Sequence, residues 1–281
     1  MNNGISGLKN IIWAFAIVVS LAALVIGLIV TMVLRYNGEA PDGTMYLGEA
    51  GPSSGLEDPL SDDSGIDGGQ SSSGGLMELP NSQDTGLEYL FNLSFLCDNS
   101  FSAVNSFGAN FGSTASSQVW LPAGGTLAAA NASSTSIIYP QDGSEKTPGD
   151  AAGLYEPSRL VIYLGSDQLS GTTAENFISG YTALIQSVQS SSPNTKIICC
   201  SIGSVTAAYA GSDGLSSELI AQANDWIKQV CTSTGVYYAD LASVLNDDEG
   251  HLIAEYAAED GRSISAAGIN KVMDYFRMHG I

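Results

Sequence analysis

Positive charge is scarce in this chain of 281 residues: nine Lys and Arg stand against 29 Asp and Glu, and none of the nine falls between Arg35 and Lys146. A surface so acidic repels polyanions, which excludes nucleic acid as a partner and disfavours acidic polymers as ligands, while leaving cations and neutral carbohydrate open. Histidine is scarcer still, with His251 and His279 the only two. The four cysteines, Cys97, Cys199, Cys200 and Cys231, lack the spacing of metal ligands, so no metal site of the zinc type and no cofactor is expected. Cys199 and Cys200 are adjacent in a strand-like run and point to opposite faces, badly placed to bridge each other, so all four are read as buried thiols. Charged residues make up only 14% of the chain against 44% hydrophobic, a balance that excludes wholesale disorder and leaves room for one well-cored domain.

The hydrophobic content is unevenly placed. Residues 11–34, IIWAFAIVVSLAALVIGLIVTMVL, carry no charge and as a helix would measure about 36 Å, against about 30 Å of bilayer hydrocarbon. A signal peptide would have a shorter apolar core with a small-residue cleavage site soon after it, so an uncleaved transmembrane helix is expected. Lys9 precedes the span, whereas Glu39 and Asp42 closely follow Arg35 beyond it. That asymmetry favours a cytoplasmic amino terminus over residues 1–10 and an extracytoplasmic carboxyl-terminal part. Residues 35–86 are rich in Gly, Ser and acids, as in SDDSGIDGGQSSSGG, and read as a disordered linker or stalk.

From residue 87 to 281 the pattern changes to that of a folded domain. Residues 93–97, 160–164, 197–202 and 236–239 are short, nearly continuous apolar runs, as expected of strands covered on both faces. Ala174, Phe177, Tyr181, Leu184, Ile185 and Val188 recur at helical spacing behind Thr172 and Glu175, which look like a capping box. Leu219, Ile220, Ala223, Ile227 and Val230 predict a second helix, and Ile269, Val272, Met273 and Phe276 a third, capped by Ser265. Strands alternating with helices predict an α/β fold with an open parallel sheet in three layers, whose ligand crevice lies at the carboxyl ends of the strands.

Three strand-end segments carry the polar residues: FLCDNSF at 95–101, YLGSDQL at 163–169 and EDGRSISAAG at 259–268. Their order, spacing and flanking residues resemble the SGNH/GDSL hydrolases, whose first block reads like FIGDS, third like LGxND and last like DGxHL. The resemblance runs from about Glu88 to the carboxyl terminus and implies the flavodoxin-like fold of that family. It also implies a serine nucleophile, an Asp–His pair to activate it, and an oxyanion site made by backbone groups, a glycine and an asparagine. Carried over residue by residue, the nucleophile position is Asn99, the glycine is Gly124 or Gly125 in LPAGGT, the oxyanion asparagine is Asp167, the orienting acid is Asp260 and the base is Ser263.

These replacements oppose catalysis. An amide is no nucleophile, a hydroxyl is no base near neutral pH, and a carboxylate about 4 Å from an oxyanion would repel it by roughly 4 kcal/mol at an effective dielectric of about 20. That is about a thousandfold in rate. The implied function is an anchored, catalytically inactive module that binds or scaffolds cell-envelope glycan or envelope proteins. The alternative is an esterase or acyltransferase on acylated carbohydrate or cell-envelope substrates, with Ser100 as displaced nucleophile. His251, in DDEGHL, reads as a turn residue. Asp98 and Asp260 read as loop or helix caps; a sharper reading joins Asp98, Asn99, Asp167 and Ser263 into an oxygen-rich pocket for sugar hydroxyls or a hard cation such as calcium. Trp120 and Tyr139 could stack on a sugar or belong to the core.

Overall fold

A computed structural model describes residues 75–107, 118–211 and 213–281. The expected transmembrane helix and most of the expected linker lie outside the described residues. Among the described residues, no helix is long and apolar enough to cross a membrane.

Six parallel strands form one sheet: β1 (Met77–Glu78), β2 (Leu93–Cys97), β3 (Val119–Trp120), β6 (Arg159–Tyr163), β7 (Lys196–Cys200) and β8 (Tyr237–Ala239), in the order β1-β8-β7-β6-β2-β3. A small antiparallel pair, β4 (Ile137–Ile138) and β5 (Glu145–Lys146), stands apart. Set β1 aside and the order is that of flavodoxin, with the reversal of strand order, where ligands collect, between β2 and β6. The helices are α1 (Gly86–Phe91), α2 (Pro148–Tyr155), α3 (Ala174–Ser191), α4 (Ser217–Thr234), α5 (Ala242–Leu245) and α6 (Ala266–Met278).

The apolar runs become strands because both faces are covered. All five residues of β2 are buried, and in register Phe95 lies beside Val161, and Leu96 beside Ile162. Phe95 packs edge-on against Phe276 of α6, whereas Cys199, which alternation places on the other face, contacts Tyr181 of α3 and Cys231 of α4. The three layers are therefore α1 and α6, the sheet, and α2 to α4. All four cysteines are free and buried, and burial pushes the thiols of Cys97, Cys199 and Cys200 well above their usual pKa.

Two local expectations need correction. The cap of α3 is Thr173, whose hydroxyl accepts from the Asn176 amide at 3.2 Å. Thr172 instead closes the preceding turn, its amide donating to Leu169 O at 3.2 Å. The folded part also begins before residue 87. Met77 and Glu78 pair in register with Tyr237 and Tyr238, the Ser82 amide donates to Met278 O at 2.7 Å, and Asp84 binds Arg277. Residues 76–85 are thus a strap joining the sheet edge to the end of α6. An acidic, Gly/Ser-rich composition hid a two-residue strand whose partners are far along the chain.

Candidate functional site

The carboxyl ends of β2 and β6 and the loop before α6 deliver the residues singled out above. Asp98 follows β2 directly and is fully buried. One carboxylate oxygen accepts from the Ser100 amide at 3.0 Å and the Ser100 hydroxyl at 2.5 Å. The other accepts from the amides of Gly165 and Ser166 at 3.1 and 3.2 Å and the Ser166 hydroxyl at 3.1 Å. Burial, and next the charge of Asp167, raise the Asp98 pKa above the usual carboxylate range against the pull of these donors. Asp98 therefore staples the β2 and β6 ends together and presents nothing to a ligand, which removes it from the expected oxygen-rich pocket.

Ser100 is lost as a displaced nucleophile for the same reason: it is buried and its hydroxyl is turned onto Asp98. Its carbonyl accepts from the Ile264 amide at 2.7 Å, which draws the first and last loops together. Asn99 begins the short 3-10 helix Asn99–Ser106, and its side-chain amide donates to the carbonyl of Gly125. Gly125 has φ 77°, a left-handed turn that suits glycine. The nucleophile position and the glycine position are thus brought together, but bonded to each other.

Asp167 binds the Leu127 amide at 3.0 Å and lies 3.5 Å from the Arg262 guanidinium. Arg262 also reaches Asp213 at 2.9 Å, and Asp213 in turn accepts from the Tyr209 hydroxyl at 2.8 Å and the Leu215 amide at 3.1 Å. The repulsion expected of Asp167 is therefore offset by a cation from the last block. Asp213 and Tyr209 were missed from the sequence. The available signal was an acid in AGSDG, on the loop after a strand that ends near the crevice.

Asp260 accepts from the Ser263 hydroxyl at 2.6 Å, the Ser263 amide at 2.8 Å and the Arg262 amide at 3.0 Å. Burial acts to raise its pKa, but the Ser263 bonds, the Arg262 amide and the Arg262 charge together hold it below the usual range. The acid and base positions are paired as the resemblance implies, with a hydroxyl where an imidazole would stand. His251 follows the turn at residues 248–249. Its amide binds Asp247 at 2.8 Å and its ring lies 3.8 Å from the same carboxylate.

Trp120 and Tyr139 are both buried, Trp120 edge-on to Tyr155 and Tyr139 beneath Lys146, so neither is a sugar platform. Among the described residues, no group of three or more His, Cys, Asp or Glu is arranged to hold a metal ion. The calcium pocket is therefore not formed, because Asp98 is sealed and Arg262 stands where a cation would be needed. A cleft of about 510 Å3 opens beside Asp167, between residues 128–130 and residues 167–172. A second hollow of about 390 Å3, lined by Arg159, Asn194 and Lys196, lies at the opposite, amino ends of β6 and β7 and holds none of these residues.

No curated protein matches the chain. Solved structures with a similar fold include a GDSL-like lipase from Bacteroides thetaiotaomicron, 10% identical over 70% of this chain and 90% of that one with a TM-score of 0.47. A carbohydrate esterase of family 3 from Talaromyces cellulolyticus is 13% identical over 66% and 93% of the two chains, with a TM-score of 0.44. The model of the GDSL-like lipase/acylhydrolase family matches residues 105–267, more than half of the sequence, beginning after the Asp98–Asn99 block and ending beyond Ser263. The chain belongs to that family.

Proposed function

We propose that this is a non-hydrolytic member of its family, a module that binds or scaffolds cell-envelope glycan or envelope proteins. In this reading residues 11–34 anchor it in a membrane, with the amino terminus cytoplasmic and the domain extracytoplasmic. The observation that carries the catalytic half of the proposal is the bond between the Asn99 amide and the Gly125 carbonyl. The group at the nucleophile position is unreactive, and it is spent on the segment that in active relatives supplies oxyanion donors. Ser263 offers no rescue. Its hydroxyl is held by Asp260, and a carboxyl below its ordinary pKa of about 3.9 is too weak a base to ionise a hydroxyl. The membrane half rests on the uncharged run of residues 11–34.

A fluorophosphonate probe, which labels activated serines, tests the catalytic half. The full chain is expected to remain unlabelled at probe concentrations that saturate an active family esterase. Labelling that maps to Ser100 or Ser263 would overturn the reading.

A further inference from the structure

The cleft beside Asp167 has its own chemistry. We infer that it binds a neutral polyhydroxylated ligand of one or two sugar rings, recognised by the side chains of Gln168, Thr172 and Asn176. This deepens the reading of a binding module and rests on it. The cleft, about 510 Å3, falls within the range of small-molecule sites.

Its walls are fixed before any ligand arrives. The Leu127 amide on Asp167 ties one wall to the other. At Gly180 of α3 a Cβ would stand 2.3 Å from Ala130 O, so only glycine lets the helix back directly onto the 129–130 backbone. Gln168 is one of two non-glycine residues with positive φ among those described, at φ 57° and ψ 23°. That conformation disfavours a long side chain, and it places the amide on the exposed lip of the cleft.

The recognising groups are uncommitted. The Gln168 and Asn176 amides and the Thr172 hydroxyl line the cleft, and none of these side chains is bonded to another described residue, Asn176 meeting Thr173 and Ser179 through its backbone alone. Amides and hydroxyls each donate and accept, which matches sugar hydroxyls. Asp167 in the wall disfavours an anionic sugar, because Arg262, shared between Asp167 and Asp213, offsets only part of the charge of the two carboxylates. Ala128, Ala129, Ala130 and Phe177 supply the apolar lining, with Ala130 exposed, so apolar surface stands beside the polar groups to meet the CH faces of a sugar ring, and hexanoate serves as the competing probe. With Trp120, Tyr139 and Phe177 buried, no stacking platform faces the cleft among the described residues, so affinity depends on hydrogen bonds and is expected near a Kd of about 1 mM.

The test is calorimetric titration of the detergent-solubilised full chain with three neutral tetrasaccharides, built on glucose, N-acetylglucosamine and mannose, and with tetragalacturonate and hexanoate. At least one neutral probe is expected to bind, with tetragalacturonate and hexanoate at least about tenfold weaker. Gln168→Gly, which suits the left-handed backbone, and Asn176→Ala should each weaken binding about fivefold or more without lowering the thermal midpoint. Silence from all three neutral probes, equal or tighter tetragalacturonate binding, or indifference to both substitutions would overturn the inference. Fluorophosphonate labelling of the same sample would sink the non-hydrolytic reading instead, while the response to the two substitutions would still judge the cleft.

Discussion

Asp98 directly follows β2 and Asp260 lies on the loop before α6, and their environments separate them. Asp98 is sealed and meets five protein donors, so Asp98→Ala should cost about 3 kcal/mol or more in urea unfolding, by leaving the Gly165 and Ser166 amides unsatisfied. Asp260 is exposed and held below the usual carboxylate range. A depressed carboxylate contributes stability that is present above its unfolded pKa of about 3.9 and is lost as pH falls through its folded value. Unfolding followed from about pH 6 down to about pH 2 should therefore show a shallower acid loss in Asp260→Asn than in wild type. Equal slopes would mean that the Ser263 bonds do not persist in solution.

The same scale explains how Arg262 changes the outlook for a cation. In place of an open carboxylate pocket, one guanidinium serves Asp167 and Asp213. Arg262→Gln should lower stability by about 1 kcal/mol, a figure kept small because its partner Asp213 stands open to solvent. It should also make the thermal midpoint rise with millimolar calcium, to which wild type is expected to be indifferent. A calcium response in wild type that Asp167→Asn abolishes would show that the guanidinium does not fill that role. The sequence could be read for the elements that carry Asn99, Asp167, Asp260 and Ser263, because each follows a strand end or precedes a helix. It could not show that the Asn99 amide turns onto Gly125 or that Asp98 turns inward, since side-chain direction depends on contacts between loops distant in the chain.

At the scale of elements, the strongest sequence signals were those set by local periodicity and burial. Residues 93–97 form β2 without shift, and Ser265 caps α6 by accepting from the Gly268 amide at 3.3 Å. Illegible were the short pieces whose stability is borrowed: β1 and β3 are two residues each and exist because β8 and β2 pair with them. The strap of residues 76–85 is the consequential case. Leu79 is buried and its loss alone forfeits about 2 kcal/mol. A chain beginning at Leu87 should thus unfold at distinctly lower urea than one beginning at Gly75, through loss of β1 and of the Ser82 and Thr85 bonds to α6. Matching midpoints would show that the strap is not part of the cooperative unit.

At the scale of the whole molecule, the chain joins a family fold to an unusual set of strand-end residues. The uncharged run of residues 11–34 leads to the expectation that the full chain sediments with membranes and is released by detergent but not by carbonate or high salt. Recovery in the soluble fraction of a detergent-free lysate would remove the anchor from the account. Strand–helix alternation by itself anticipates an open parallel sheet covered by helices, whereas the flavodoxin-like order is what the family resemblance implies, and neither anticipates β1 at the edge. Whether the inherited crevice still performs chemistry could not be anticipated from alternation, since it turns on three side chains and their partners.

That question has a direct measurement, the kcat/KM of the purified full chain for a short-chain aryl acetate. Asn99 bonded to Gly125, Ser100 turned onto Asp98 and Ser263 held by a weakly basic Asp260 predict turnover no faster than the buffer-catalysed reaction. Hydrolysis well above that background, abolished by Ser100→Ala or Ser263→Ala in protein that remains folded, would contradict the account.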